Sequence, residues 1–539
     1  MKKQIKRTGI VALSALMMVS GLASCGKDKF VDDPNTLYVG VYDSGIDAAW
    51  MDTVAAMYMA EHPDKTIQVI KKKTEYEAQE LQNTIEVDIE DMYFTHITPI
   101  RTWAREGFIL DITDVMQSKA SESEDKTIEQ KCIQPNILDY FKDDEGRYYG
   151  MPFFSSLAGA IYDVDLFEQR GLYLKQGGGY TSWDPINKVV IGEKTLGRDG
   201  LPGTSDDGLP VTYTEFKNWC NYMVTSKGVI PFTWSPKSTY THRNFLLSLM
   251  ANYEGLNDFT LNYTMDGTDS QFGKISLENG NQLLGQKGKE YAAEFAHDLI
   301  SKKGTWFKND IFNTTVDQLI AQENFLFSAP EGAPVAMLLE GGWWENEAYK
   351  SGIFDDVVDE FDNPDLAYGK RRFAMMSIPA YDANHSTTNT LFNPNAGTAV
   401  FINAKTIKPD LAKDFLKFAS TKEAMRIFNV ETGTVRPFEY DLEPDEYNGL
   451  TAFSQSLYQL IKVEKNDIAT SLSTNDYITD LEMDYFYDWF WKSKVGTDSY
   501  SDMVKAFYNN SNLTAAQYIQ GGKDYYSDWN NRLGDYFND

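Results

Sequence analysis

The chain has 539 residues, well beyond the roughly 250–300 at which a single hydrophobic core stops growing, so two or more domains are expected. Hydrophobic residues make up 42% and aromatics 14%, with 11 Trp, 32 Tyr and 31 Phe, which excludes collagen-like, low-complexity and intrinsically disordered classes. Against 50 basic side chains stand 79 acidic ones, a formal charge of -29 that repels a phosphate backbone and argues against nucleic acid as a partner.

Lys2, Lys3, Lys6 and Arg7 precede an uncharged apolar run from Gly9 to Leu22. That run is shorter than the roughly 20 residues a helix needs to cross a bilayer, and no later stretch is longer and as apolar, so residues 1–24 read as a signal peptide. It closes on Leu22-Ala23-Ser24-Cys25, which resembles the bacterial lipobox. The resemblance implies cleavage before Cys25, lipidation of that Cys and an extracytoplasmic chain anchored to the cell membrane. Residues 25–35 are polar and aperiodic and read as a tether. Of the three Cys, Cys132 and Cys220 then remain; they pair or stand as separate buried thiols, which spacing alone does not decide. Five His leave little for histidine-based metal or acid/base centres.

The alternation of Leu37, Val39 and Val41 predicts a strand over Thr36–Val41. Trp50, Val54, Met57 and Tyr58 then mark one face of a helix from Asp47 to Glu61, ended by His62-Pro63. Thr66–Ile70 is a second strand, so the opening is a βαβ unit and predicts a parallel sheet. Glu75–Thr84 has helical character, Met92-Tyr93-Phe94 reads as a strand, and Pro99–Glu106 as a helix stopped by Gly107. The stretch 175–210, rich in Gly, Asp, Pro and Lys, reads as a long surface insertion. Thr212-x-x-Glu215 is a capping box ahead of Phe216 and Trp219. Further on, Phe373–Pro379 and Gly397–Ile402 are strands, and Leu411, Phe415, Phe418, Met425 and Phe428 form a helical apolar stripe. The acidic and aromatic segment around Tyr485, Phe486, Trp489, Phe490 and Trp491 suits a helical C-terminal block.

Several landmarks occur in a telling order. After the lipobox and the βαβ opening come the Gly107–Ile112 step, Tyr149-Gly150-Met151-Pro152, Tyr162 with Asp165-Leu166-Phe167 and Gly171-Leu172, Thr212-Tyr213-x-Glu215-Phe216, Met337-x-x-x-Gly341-Gly342-Trp343, and Gly397 through Phe418. Over about residues 36–435 the chain resembles the sugar-binding branch of the extracellular solute-binding proteins, which includes maltose-binding protein. The resemblance implies a periplasmic-binding-protein-like α/β fold: two α/β lobes with a ligand cleft and hinge between them. Lobe 1 would hold 36–152 and about 372–430, lobe 2 about 153–371 and 431–539. Crossings near Met151–Ser156 and Arg371 would be the hinges. The implied partners are a carbohydrate ligand, held by a monomer, and the separate permease subunits of an ABC importer.

Sugars offer apolar C–H faces that stack on aromatic rings and hydroxyls that need planar polar groups. By resemblance the stacking aromatic falls at Trp343, with Trp344 beside it and Glu340 just before the Gly pair as a hydroxyl acceptor. Tyr42 and Asp43 stand at the carboxyl end of the first strand, where ligands bind in open α/β sheets. Phe154 and Ser155 follow the first crossing, and Trp234 and Tyr240 flank the loop after Ile230-Pro231-Phe232. Arg436 pairs with an acidic ligand group or with a lobe carboxylate. Asp199, Asp206 and Asp207 sit among glycines, a hard-oxygen set that suits Ca²⁺, but off the EF-hand spacing, and a solvated turn is the plainer reading. No other cofactor is implied. HExxH, GxSxG and P-loop patterns are absent from the sequence, so a binder without catalysis is favoured over a secreted glycan hydrolase. A binder of peptides or other non-sugar solutes stays open, as the aromatics also fill cores.

Overall fold

The computed structural model describes residues 33–527, apart from 44, 73–80, 82, 266, 268–269, 277–278, 303–304, 308–314, 329–332, 386–388 and 475–490. The signal segment, Cys25, most of the tether, most of the helix expected over 75–84 and the aromatics Tyr485–Phe490 lie outside the described residues.

In chain order, the strands of the two main sheets are β1 (Thr36–Tyr42), β2 (Thr66–Lys72), β3 (Met92–Ile97), β4 (Met151–Pro152), β5 (Ala158–Asp163), β6 (Ile230–Thr233), β7 (Val335–Gly341), β8 (Phe373–Met375) and β9 (Thr398–Ile402). The helices that matter below are α1 (Trp50–Glu61), α2 (Tyr213–Tyr222), α3 (Tyr240–Thr264), α4 (Trp344–Lys350) and α5 (Lys422–Thr432).

The first sheet runs β2-β1-β3-β9-β4. Its β1, β2 and β3 are parallel, as the βαβ opening requires, and β9 is antiparallel to both β3 and β4. Every residue of β1 from Leu37 to Tyr42 is buried, as expected for a central strand covered on both faces. α1 ends where expected: the His62 amide donates to the Tyr58 carbonyl at 2.9 Å, and Pro63 keeps His62 out of the helical region. The buried face is Trp50, Val54 and Tyr58, joined by Met51 and Ala55, while Met57 is half-buried. Trp50 meets Phe428 of α5 edge to face, with ring centres 4.9 Å apart.

The second sheet runs β8-β5-β7-β6, with β6 parallel to β7 and the other pairs antiparallel. Its core gathers Tyr162, Phe167, Trp219, Phe232, Phe295 and Met337. The capping box of α2 forms: Thr212 Oγ1 accepts from the Glu215 amide at 3.3 Å, and Glu215 Oε2 from the Thr212 amide at 3.0 Å.

Three expectations about organisation need correction. Phe373–Met375 pairs with Asp163–Ile161 of β5, so the strand expected to open the return to the first sheet belongs to the second. The return crossing therefore lies between β8 and β9. Arg371 is not a hinge: its guanidinium lies inside the second half, bound to Asp163 Oδ2 at 2.6 and 3.0 Å and to the Leu326 carbonyl at 2.7 Å. Finally, the chain after residue 431 is divided between the halves: Phe438 bridges to Cys132 of the first half, whereas Phe453 meets Trp344 at 5.6 Å and Ser456 Oγ accepts from the Met375 amide of β8 at 2.9 Å. Ala469 and the chain from Trp491 onward, with helices Met503–Asn509 and Ala515–Tyr525, pack into the second core.

The insertion at 175–210 carries a hairpin of its own, Ser182–Asp184 with Val189–Ile191. Arg198 anchors it, donating to Asn252 Oδ1, the Ile378 carbonyl and Asn389 Oδ1, each at 3.2 Å, and to the His385 carbonyl at 2.6 Å. Cys132 and Cys220 are both buried and free, one in each core.

Candidate functional site

The loops after β1 and β7 meet where the two sheets face each other. Trp343 leaves β7 through Gly341-Gly342 and precedes α4. A Cβ on Gly341 would fall 2.1 Å from the far edge of the Trp343 indole, so glycine is what lets this ring fold back onto the strand end. At Gly342 a Cβ would fall 2.6 Å from Ser156 Oγ and 3.1 Å from Leu457. That loop is thereby pressed against the first crossing, and the Gly342 amide donates to the Leu157 carbonyl at 2.9 Å.

Two further elements reach Trp343. Its Cβ would stand 3.6 Å from a Cβ on Gly45, in the turn after β1. The Tyr240 ring, at the start of α3, lies 6.2 Å from the indole at 47°. Trp343 and Tyr240 are both partly exposed, so rings from one half face a glycine turn from the other. Beside them, Lys350 Nζ at the end of α4 is 3.3 Å from both Asp43 Oδ1 and Asp47 Oδ2. Partial burial opposes ionisation of Asp47, but the amides of Ala48 and Ala49 and the Lys350 ammonium hold its carboxyl below the usual range. Asp43 Oδ1 also accepts from the Asp47 amide at 3.1 Å, the turn role open to an acid after a strand.

The remaining expected residues are placed differently. Trp344 is fully buried among Phe325, Phe354, Phe373 and Phe453, with ring centres 5.8, 6.3, 5.0 and 5.6 Å away; it is core, because the first turn of α4 rotates it away from Trp343. Trp234 is also core, packed on Phe307 at 5.2 Å. Tyr42 is buried in the first core. Phe154 stacks edge to face on Phe153 at 5.2 Å, which is crossing-segment packing. Ser155 joins the crossings: its amide donates to the Val435 carbonyl at 2.8 Å, and its Oγ accepts from Gln134 Nε2 at 2.8 Å and Asn393 Nδ2 at 3.1 Å.

Glu340, at the end of β7, is 2% exposed. Its Oε1 accepts from the Gly341 amide at 3.1 Å, while Oε2 is buried without a hydrogen-bond partner among the described residues. Burial, reinforced by the nearby Glu347, pushes this carboxyl well above its ordinary range.

The acidic turn of the insertion is held mostly by local hydrogen bonds, with Asp207 Oδ1 left buried without a partner among the described residues. Asp206 Oδ2 accepts from the Asp199 amide at 3.3 Å and Oδ1 from Thr204 Oγ1 at 2.9 Å. Asp199 Oδ1 accepts from the Leu201 amide at 2.7 Å, and Asp207 Oδ2 from the Gly203 amide at 2.6 Å. Among the described residues no group of three or more His, Cys, Asp or Glu side chains is arranged to hold a metal.

The sequence reading missed Gly45, Asp47 and Lys350. Tyr42-Asp43-Ser44-Gly45-Ile46-Asp47 carries turn composition, which marks the loop, but nothing in the sequence pairs it with a lysine some three hundred residues away.

Residues 53–453 match the family of bacterial extracellular solute-binding proteins. The chain belongs to that family. No curated protein sequence matches the chain. Among solved structures, apo RafE from Streptococcus pneumoniae is 14% identical, covering 92% of this chain and 98% of its own, with a TM-score of 0.55. A protein from work on xylan utilization by the thermophilic bacterium Caldanaerobius polysaccharolyticus is 13% identical, covering 91% and 99%, with a TM-score of 0.57. The bacterial solute receptor AcbH, described as preferring β-D-galactopyranose, is 13% identical, covering 91% and 97%, with a TM-score of 0.53. At that identity they establish the fold: this solute-binding protein has the periplasmic-binding-protein architecture. The family is one of extracellular binders, and among the described residues no helix is long and apolar enough to cross a membrane.

Proposed function

We propose that this solute-binding protein captures a carbohydrate, an oligosaccharide by preference, and delivers it to a separate ABC import permease while tethered to the membrane through lipidated Cys25. The observation that carries the reading is the partly exposed Trp343–Tyr240 pair beside the Asp43–Lys350–Asp47 ion cluster, where the two halves meet. Stacking rings next to planar carboxylates and an ammonium match the alternating apolar and hydroxyl surface of a sugar. RafE has been solved in complex with raffinose, and AcbH takes a galactopyranose, which supports the same ligand class here. Glu340, one residue before the glycine pair, adds a carboxyl whose buried Oε2 has no hydrogen-bond partner among the described residues.

A ligand that touches both halves only when they close shifts the open–closed equilibrium by its differential affinity for the closed form. The closed form is what the permease reads.

Thermal unfolding of the purified protein against mono- and oligosaccharides tests the reading. A glycan at one hundred times its dissociation constant should stabilise by about 2.7 kcal/mol. Trp343→Ala should abolish that gain while leaving the unliganded protein folded. A glycan recovered cleaved would make the chain a hydrolase, and no response to any sugar, with a response to peptides, would overturn the ligand class.

A further inference from the structure

The first core holds a cation whose charge no carboxylate answers among the described residues. Arg436 lies three residues beyond Gly433, which ends α5, and is 1% exposed. Its guanidinium carbon stands 5.7, 5.6 and 5.7 Å from the ring centres of Phe153, Phe428 and Phe438. Such rings attract a cation through their π faces but give its N–H groups no strong acceptor. Nε and Nη1 are buried and find no hydrogen-bond partner among the described residues. The expectation that Arg436 meets a carboxylate of its own lobe is not met among those residues. The neighbouring ionisable group is Tyr440, whose Oη already accepts from the Arg436 amide at 3.1 Å. Burial pushes the guanidinium down to about 10, which still leaves it charged at neutral pH.

A second buried cation shows the contrast. Lys131, close enough for its charge to be felt by Arg436, places Nζ 2.5 Å from Glu124 Oε2 and 2.7 Å from the Ser420 carbonyl. Its charge is answered, whereas that of Arg436 meets no carboxylate among the described residues.

Trp50, the first residue of α1, packs on two of the same rings, 6.0 Å from Phe153 and 4.9 Å from Phe428. Its Nε1 is also buried without a partner among the described residues. Indole and guanidinium are donor-only groups. Two donor-only groups around a shared pair of phenyl rings, one with a full charge, are complementary to an acceptor with a single negative charge. Leaving that charge uncompensated in an apolar site is far costlier than leaving a neutral donor unpaired.

We propose that Arg436 and Trp50 hold a monovalent anion, a free halide or the carboxylate of an acidic solute, beside Phe153 at the first crossing. The site is independent of the neutral-sugar reading above, since it uses neither Trp343 nor Tyr240.

The test starts from protein in halide-free buffer at fixed ionic strength set with sodium sulfate. The thermal midpoint is followed against sodium bromide, sodium glucuronate and, as a neutral control, glucose. A saturable rise with bromide, together with anomalous bromine scattering at Arg436 in crystals, supports a resident ion; a rise with glucuronate but not bromide supports a solute carboxylate. Trp50→Phe keeps the ring packing, removes one donor, and should weaken the response about tenfold; Arg436→Met should abolish it. If Arg436→Met does not fold, the Trp50→Phe comparison and the bromide-soaked crystal still decide. No anion response, or one that both variants leave unchanged, overturns the proposal. A response to neutral glycans lost only in Trp343→Ala bears on the sugar reading and not on this one.

Discussion

Gly341→Ala isolates the seat of Trp343. The three nearest atoms to a new Cβ all belong to the indole, the closest at 2.1 Å, whereas carbon atoms pack at about 3.5–4.0 Å. The ring must therefore retreat by about 1.5 Å or swing out of its seat, and overpacking of this kind typically costs about 1–3 kcal/mol. The backbone itself raises no objection, because Gly341 closes a strand and has no left-handed φ. In a Trp343→Ala background the obstacle is gone, and the same Gly→Ala change should be neutral or stabilising by about 0.4–1 kcal/mol through the unfolded chain. The assay is a double-mutant cycle by urea unfolding, with near-ultraviolet circular dichroism reporting the indole environment. A coupling of about 1–3 kcal/mol, with loss of the glycan response in Gly341→Ala alone, is the expected outcome. An equal cost in both backgrounds would refute the claim that this glycine exists to seat Trp343.

Arg371→Met leaves the Asp163 carboxylate buried without its partner and should lower stability by about 3–5 kcal/mol in urea unfolding. Ser155→Ala strips the Gln134 and Asn393 amides of their shared acceptor and should cost about 1–3 kcal/mol. Glu345, buried and accepting from Thr451 Oγ1 at 2.5 Å, is pushed up to about 7 by burial, which outweighs that hydrogen bond. Its folded value lies above its unfolded one, so the folded state binds the extra proton between about pH 4.5 and 7, and stability falls as pH rises through that window. Glu345→Gln should flatten this part of the profile and gain of order 2 kcal/mol at pH 8; an unchanged slope between pH 5 and 8 would contradict the assignment.

Much of the local structure is legible from the chain. The β1-α1-β2 opening follows from two apolar strand patterns around one helical stripe, and the start of α2 from a capping box whose two hydrogen bonds both form. Trp343 is singled out through the family resemblance, and the structure adds why two glycines precede it: a Cβ on Gly341 would strike its indole. Trp344 and Trp234 misled for one reason: an aromatic residue beside a loop reads the same whether its ring faces a cleft or a core. In the structure one turn of α4 sends Trp344 among four phenyl rings.

What the sequence determined by itself is therefore the alternation of elements, the helix ends and the two-core size of the molecule, all of which rest on interactions between residues near in the chain. Tertiary structure alone decided which sheet Phe373–Met375 joins, that Ser155 ties Gln134, Asn393 and Val435 together, that Lys350 closes on Asp43 and Asp47, and that Arg436 is buried without a carboxylate among the described residues. Those outcomes depend on which side chains remain once both cores are packed. A charge or hydroxyl takes its partner from whatever residues the packed cores bring beside it, and distance along the chain carries no record of that choice.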